Sequence, residues 1–284
     1  MAMNFINLMF TNTRAGFRFF KFLAVISLYF IFAIYNYLSV ADPDRRRKKL
    51  TLNGQVTAKW ILKAFNVELI CKQNIPENEA SLIVGNHVGF IDIVCLVALT
   101  HGVFITSLEM KQTPLLGQIC DLGGCAYVNR KNRMRIQDEL KDIIDVLKKG
   151  FRVMLYAESV TSNGEQVLPF KKTLITAAAL AGKPIRPFTF NYRNVNKGPI
   201  KYEHRDSLCW YGEQTFVSAI WKSLKLNSLT CEIEFLPLVH STTEEDRTEL
   251  AQKLHAMVSD KFTPFTPNMN LAAEVTICNP VSAY

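Results

Sequence analysis

The first apolar block is long and uninterrupted. Residues 22–38 read FLAVISLYFIFAIYNYL, seventeen positions without a formal charge. A helix needs about 20 apolar residues to cross a bilayer core, with a working range that begins at about 17, so the block predicts a membrane-associated helix. Arg14, Arg18 and Lys21 precede it, and a basic run from Arg45 to Lys49 follows. Cations on both flanks give no one-sided bias and suit either a tilted span or a helix that dips into one leaflet. The chain runs into that basic block instead of a small-residue cleavage site, which argues against a signal peptide. In residues 52–66, Leu52, Val56, Trp60 and Ala64 recur every four positions, joined by Ile61 and Phe65, with Lys59 and Lys63 alongside. That period predicts an amphipathic helix facing a core or lying on lipid.

Beyond residue 66 the pattern changes to short strands alternating with helices. Strands are predicted at 67–71, 81–85, 103–107, 124–129, 151–156, 184–191 and 229–236. Helices are predicted at 90–100, 132–149, 171–181, 214–226 and 243–261. The second of these has Asn132 as its cap, one face of Ile136, Leu140, Ile143 and Leu147, and Gly150 as its stop. Thr242 or Thr243, followed by acids, resembles a capping box for the last. Such alternation predicts a single α/β domain with a mostly parallel or mixed central sheet. The layout is an anchor and amphipathic helix over 1–66, the α/β domain over 67–262, and a loose tail over 263–284.

Composition narrows the class. Hydrophobic residues make up 49% of the 284 positions and charged residues 20%, enough to bury a core and too apolar for a disordered chain. Thirty-three Lys and Arg against 25 Asp and Glu leave a net charge of +8, which suits a partner surface of phosphates. The densest basic run abuts the apolar block, so the expected partner is anionic lipid and not nucleic acid. Seven cysteines, an odd number without a CxxC pair, predict reduced thiols in a cytosol-facing protein and no zinc site. No GxSxG elbow, P-loop or GxGxxG fingerprint occurs.

The sharpest chemical signal is Asn86-His87-Val88-Gly89-Phe90-Ile91-Asp92, between the apolar strand SLIVG and the apolar helix FIDIVCLVAL. Five residues apart on one continuous helix, His87 and Asp92 would not face each other. With His87 in the strand-to-helix turn and Asp92 in the first helical turn, the carboxylate can bend back to the imidazole. It would fix the tautomer and leave the other ring nitrogen free as a base. The alternative is a capping Asp beside a satisfied turn histidine.

This stretch matches the NHx4D signature of the glycerolipid acyltransferase superfamily, and the resemblance extends over roughly residues 60–240. Thr113-Pro114-Leu115-Leu116-Gly117, then Gly124 to Arg130, is similar to the family's P-x-x-G leading to G-x-x-F-x-x-R. Leu155 to Ser162 resembles F-P-E-G-T-R-S, Val167 to Lys172 resembles the F-K-x-G segment, and Lys183 to Pro187 resembles the proline-bearing fourth block. The resemblance implies His87 as general base, Asp92 as its orienter, and Arg130 as the ligand of the acceptor phosphate. It places Glu158, Ser159, Thr161 and Lys171 around the acceptor. It further implies a membrane-bound enzyme whose active domain faces the cytoplasm, with membrane lipids as partners and with neither metal nor cofactor. Acyl-CoA or acyl carrier protein would donate a fatty acyl group to the free hydroxyl of a lysophospholipid, foremost 1-acylglycerol 3-phosphate. The alternatives are another acceptor, such as lyso-ornithine lipid, or a non-catalytic lipid-binding homologue.

Two departures bear on the acceptor. Ala157, Ser159, Val160 and Thr161 surround Glu158, and no cation stands at Thr161 where the family usually has one. Ser107 occupies the place of a second usual cation, a lysine, which Lys111, Lys171 or Lys172 could replace. Each lost charge-assisted contact is worth about 1.5–3 kcal/mol of acceptor binding, so a head group with less charge also fits.

Overall fold

The computed structural model describes residues 2–128 and 136–267. Helix α1 (Ala2–Ser39) extends well beyond the apolar block and carries Arg14, Arg18 and Lys21 within it. Helix α2 (Pro43–Phe65) takes in the whole basic run. Its start signal is Asp42, whose side chain accepts from the Arg45 N–H, followed by Pro43 in the first turn. Asn66, in the left-handed region at φ 56°, ends it.

Eight strands follow among the described residues: β1 (Val67–Lys72), β2 (Leu82–Gly85), β3 (Val103–Ser107), β4 (Ala126–Val128), β5 (Val153–Tyr156), β6 (Ile185–Val195), β7 (Gly198–Pro199) and β8 (Leu229–Phe235). Their order across the sheet is β1-β8-β6-β2-β5-β3-β4, with β7 paired to β6. Neighbours from β6 to β4 run parallel, as do β1 and β8, while β8 is antiparallel to β6. The expected mixed, mostly parallel sheet is present. The helices between strands are α3 (Phe90–Leu99), α4 (Leu108–Gln112), α5 (Leu116–Leu122), α6 (Ile136–Lys148), α7 (Lys172–Ile175), α8 (Ala177–Ala181), α9 (Arg205–Leu208), α10 (Phe216–Lys225) and α11 (Arg247–Lys261). The short pieces α4, α5 and α9 lack enough turns for a periodic signal and were not expected. The cap of α11 is Asp246, which accepts from the Thr248 and Glu249 N–H groups; Thr242 instead opens a turn closed by the Glu245 N–H. The cap expected at Asn132 lies outside the described residues.

The period of two along the central strands divides two cores. Leu82 and Val84 face a layer of α6, α8 and α11, where Leu147, Ala178 and Leu254 are fully buried. Ile83 and Phe188 face the opposite layer, which includes Ile91 and Leu96 of α3 and Leu224 of α10. Ala15 and Ile26 of α1 and Ala58, Leu62 and Phe65 of α2 belong to that same core, so the amino-terminal helices are built into the body. Phe265, near the end of the described chain, is also buried there. The six described cysteines are free.

At Gly85, on the last position of β2, an added Cβ would lie 2.5 Å from the Phe188 carbonyl oxygen. Only glycine lets β6 approach this closely just before the Asn86-His87 turn. Gly117 ends the P-x-x-G block for a similar reason: a Cβ there would lie 2.1 Å from the Lys111 carbonyl oxygen, between α4 and α5.

Candidate active site

The site stands at the carboxyl ends of adjacent parallel strands, where crossover connections leave a crevice in α/β sheets. Strands β2 and β5 are in register at Gly85 and Tyr156, so the turns after them, which carry His87 and Glu158, lie side by side. Asn86 extends β2 by a side-chain imitation of the ladder. Its amide donates to the Phe190 carbonyl at 3.0 Å and its oxygen accepts from the Phe190 N–H at 2.8 Å.

The His87 Nδ1 lies 3.0 and 3.1 Å from the two Asp92 carboxylate oxygens. Asp92 is fully buried and is held by the amino end of its own helix. Its Oδ2 accepts from the Val88 N–H at 2.6 Å and the Gly89 N–H at 2.9 Å, and the helix dipole favours a carboxylate at that end. These donors account for a charge kept out of water. With Asp92 accepting from Nδ1–H, the Nε2 lone pair is the free one, and among the described residues nothing is bonded to Nε2. The main chain around His87 is pinned as well: its carbonyl accepts from the Ser162 N–H, and the Val88 carbonyl accepts from the Trp210 N–H, both at 2.8 Å.

Glu158 ties the two turns together. Its Oε1 accepts from the His87 N–H at 2.7 Å and its Oε2 from the Leu168 N–H at 2.9 Å. Burial pushes its carboxyl up to about 8, reinforced by the Asp92 charge and opposed by the two backbone donors. Only 2% of Glu158 is exposed, so the carboxyl braces the turns and does not present itself to solvent. Ser159 follows at φ 66°, a left-handed conformation that favours glycine. Val160 is exposed, Ser159 and Thr161 are half-buried, and the Ser162 hydroxyl accepts from the Gly164 N–H at 3.2 Å.

The candidate cations are spread out. Lys171 is exposed at the cap of α7, where its backbone N–H donates to the Ala157 carbonyl at 2.8 Å. Lys172 donates to the Thr248 hydroxyl, and Lys111 lies over the Tyr127 ring and 3.8 Å from Asp121. Ser107 caps α4 by accepting from the Met110 N–H. Arg130 lies outside the described residues. The structure thus brings together His87, Asp92 and Glu158, with Ser159 and Thr161 in the adjoining turn. It adds Asn86 and Tyr156, the latter stacked on the His87 ring. Asn86 stood in the quoted signature and Tyr156 in the third block, both without a role.

Fold and site together define an α/β protein with a carboxylate-held histidine at the carboxyl edge of its sheet. Residues 66–191 match the family model described as Acyltransferase. It is 27% identical over 217 residues to a 1-acyl-sn-glycerol-3-phosphate acyltransferase of Neisseria meningitidis, covering 76% of this chain and 81% of that relative. It is 29% identical over 205 residues to a lyso-ornithine lipid O-acyltransferase of Brucella abortus, covering 70% and 77%. Among solved structures, the 1-acyl-sn-glycerophosphate acyltransferase PlsC of Thermotoga maritima shares the fold, with a TM-score of 0.66 over 89% of this chain and 95% of that one at 17% identity.

Proposed function

We propose that the protein is a membrane-bound O-acyltransferase that esterifies the free hydroxyl of 1-acylglycerol 3-phosphate to give phosphatidic acid. The observation that carries this reading is the buried Asp92 carboxylate 3.0 Å from His87 Nδ1, with Nε2 left open. Nε2 takes the proton of the acceptor hydroxyl as its oxygen attacks the thioester carbonyl carbon. The tetrahedral intermediate then collapses, the C–S bond breaks, and the imidazolium returns the proton to the departing thiolate. The acyl group passes directly from donor to acceptor. The donor is a fatty acyl thioester of coenzyme A or acyl carrier protein, and Arg130 pairs with the acceptor phosphate.

The amino-terminal helices bring this site to the lipid. Helix α1 contains the one stretch among the described residues, Met9–Ser39, long and apolar enough to cross a membrane. Arg14 donates to the Lys225 carbonyl at 2.8 Å, and the Tyr29 hydroxyl donates to the Ile119 carbonyl at 2.7 Å. The helix is therefore held against the body over roughly 22 Å of its length, at 1.5 Å rise per residue. A helix fastened along its side lies in one leaflet. Phe10, Phe17, Phe20 and Ile31 are exposed for insertion, and the active domain faces the cytoplasm.

A second acceptor, lyso-ornithine lipid, is favoured by the neutral residues Ser107 and Thr161 and by the Brucella relative. Labelled acyl thioester offered with lysophosphatidic acid, lysophosphatidylethanolamine or lyso-ornithine lipid decides between them. Highest kcat/KM on lysophosphatidic acid supports the first reading; highest kcat/KM on lyso-ornithine lipid replaces it with the second. No turnover on any lysolipid contradicts both.

A further inference from the structure

One group packed on His87 has no part in the proton transfer described above. Tyr156, the last residue of β5, lies face to face with the imidazole, ring centroids 4.0 Å apart and planes 15° apart. Behind it Phe104 continues the column at 6.0 Å and 29°. Phe188 meets the Tyr156 ring edge-on at 6.0 Å. Tyr156 is buried, and its hydroxyl lies near the Asp92 carboxylate without forming a well-aligned hydrogen bond. Burial, then the nearby Asp92 charge, pushes the phenol far above its ordinary range, so it stays neutral.

The tether to Asp92 fixes the position of Nδ1 but only loosely fixes the ring plane, because a hydrogen bond tolerates a broad range of angles above 150° or so. Nε2 is on the far side of the ring, where a small swing becomes a displacement of the lone pair. A flat ring against one imidazole face closes that swing. The same face is electron-rich and stabilises the imidazolium formed when Nε2 takes the proton.

We propose that Tyr156 is a positioning residue for the acyl-transfer step: its ring, backed by Phe104 and Phe188, holds the His87 imidazole in the plane that aims Nε2 at the acceptor hydroxyl. The requirement is for a flat ring and not for the hydroxyl. This proposal rests on His87 being the base.

The test measures kcat and acceptor KM for Tyr156→Phe, Tyr156→Leu and Phe104→Leu beside wild type and His87→Ala. Misplacing a reacting group by an ångström or so costs up to about 100-fold, so Tyr156→Leu should lose roughly 10- to 100-fold in kcat with KM within about twofold. Tyr156→Phe keeps the stack and loses only the hydroxyl near Asp92, so it should retain kcat within about twofold. Phe104→Leu removes the backing away from His87 and should lower kcat about threefold at unchanged KM, a split that marks a transition-state effect. Should Tyr156→Leu fail to fold, Phe104→Leu decides alone. Wild-type kcat in Tyr156→Leu, or in Phe104→Leu if it stands alone, overturns the proposal. So does a loss in Tyr156→Phe as large as in Tyr156→Leu. If His87→Ala is itself active, the reading of the base has failed; if it is inactive while Tyr156→Leu is fully active, only the positioning role has.

Discussion

The turn after β2 and the turn after β5 are neighbours built by different rules. In the first, backbone and side chains are fastened: Asn86 bonds twice to β6, Asp92 takes two backbone N–H groups and the imidazole, and Gly85 admits Phe188 where no Cβ fits. In the second, Glu158 is fastened, but Ser159 sits at positive φ, Val160 points outward and Thr161 is a neutral, half-buried side chain. The contrast separates two demands. Proton transfer needs one geometry whatever the acceptor, so its turn tolerates little. Head-group recognition changes with the acceptor, so its turn is held at fewer points.

The largest effect should come from the first turn. Asp92→Asn keeps the shape but offers an amide that can donate to Nδ1 and favour the wrong tautomer; loss of an orienting carboxylate of this kind costs up to about 10⁴ in kcat. A loss under about tenfold in a steady-state thioester assay would remove the distinction between the turns. Next is the triple variant Phe17→Glu, Phe20→Glu and Ile31→Glu on the exposed face of α1. It should move the protein from the membrane pellet to the soluble fraction while keeping its melting temperature; continued pelleting at physiological salt refutes the one-leaflet placement. Thr161→Arg should then raise preference for lysophosphatidic acid over lyso-ornithine lipid about tenfold, the lower end of a charge-assisted contact. An unchanged ratio would mean that other cations already serve the phosphate.

Glu158 links the turns, and its pH behaviour sharpens the comparison. Its folded carboxyl at about 8 lies above the ordinary 4.5, so between those values the folded state holds the extra proton. Its contribution is fully present below the unfolded value and declines as pH rises through the folded one. Glu158→Gln cannot titrate and loses one backbone acceptor. Melting curves from pH 5 to pH 9 should show wild type more stable at the acidic end, with the gap narrowing towards the alkaline end. A gap that stays constant from pH 5 to pH 9 would show that the carboxyl is ionised throughout. The smallest effect is Ser159→Gly, which should stabilise by about 1 kcal/mol through relief of the left-handed backbone; a lower melting temperature would show that the serine side chain contributes more than the strain costs.

Much of the fold was legible because period and length agree. The central strands are apolar runs of the right length, and the helices between them are long enough to show a face, as in Ile136 to Lys148. Pieces such as Leu108–Gln112 and Leu116–Leu122 span too few turns to show one. The amino-terminal helices read as an anchor because Phe22 to Leu38 is apolar on every side. Only packing reveals that Ala15, Ile26 and Leu62 share a core with Phe188. His87 and Asp92 were legible as a motif, and their spacing becomes meaningful once a turn separates them. The stack of Tyr156 on His87 depends on the β2–β5 register, which no local pattern encodes.

The central claim is that an Asp-held imidazole at the end of β2 performs the proton transfer of acyl transfer. Purified His87→Ala, assayed beside wild type for acyl-thioester turnover with saturating lysolipid, tests it most directly. Removing such a base should lower kcat by about 10³-fold or more while membrane association and melting temperature stay at wild-type values. Turnover close to wild type in the folded, membrane-bound variant would contradict it.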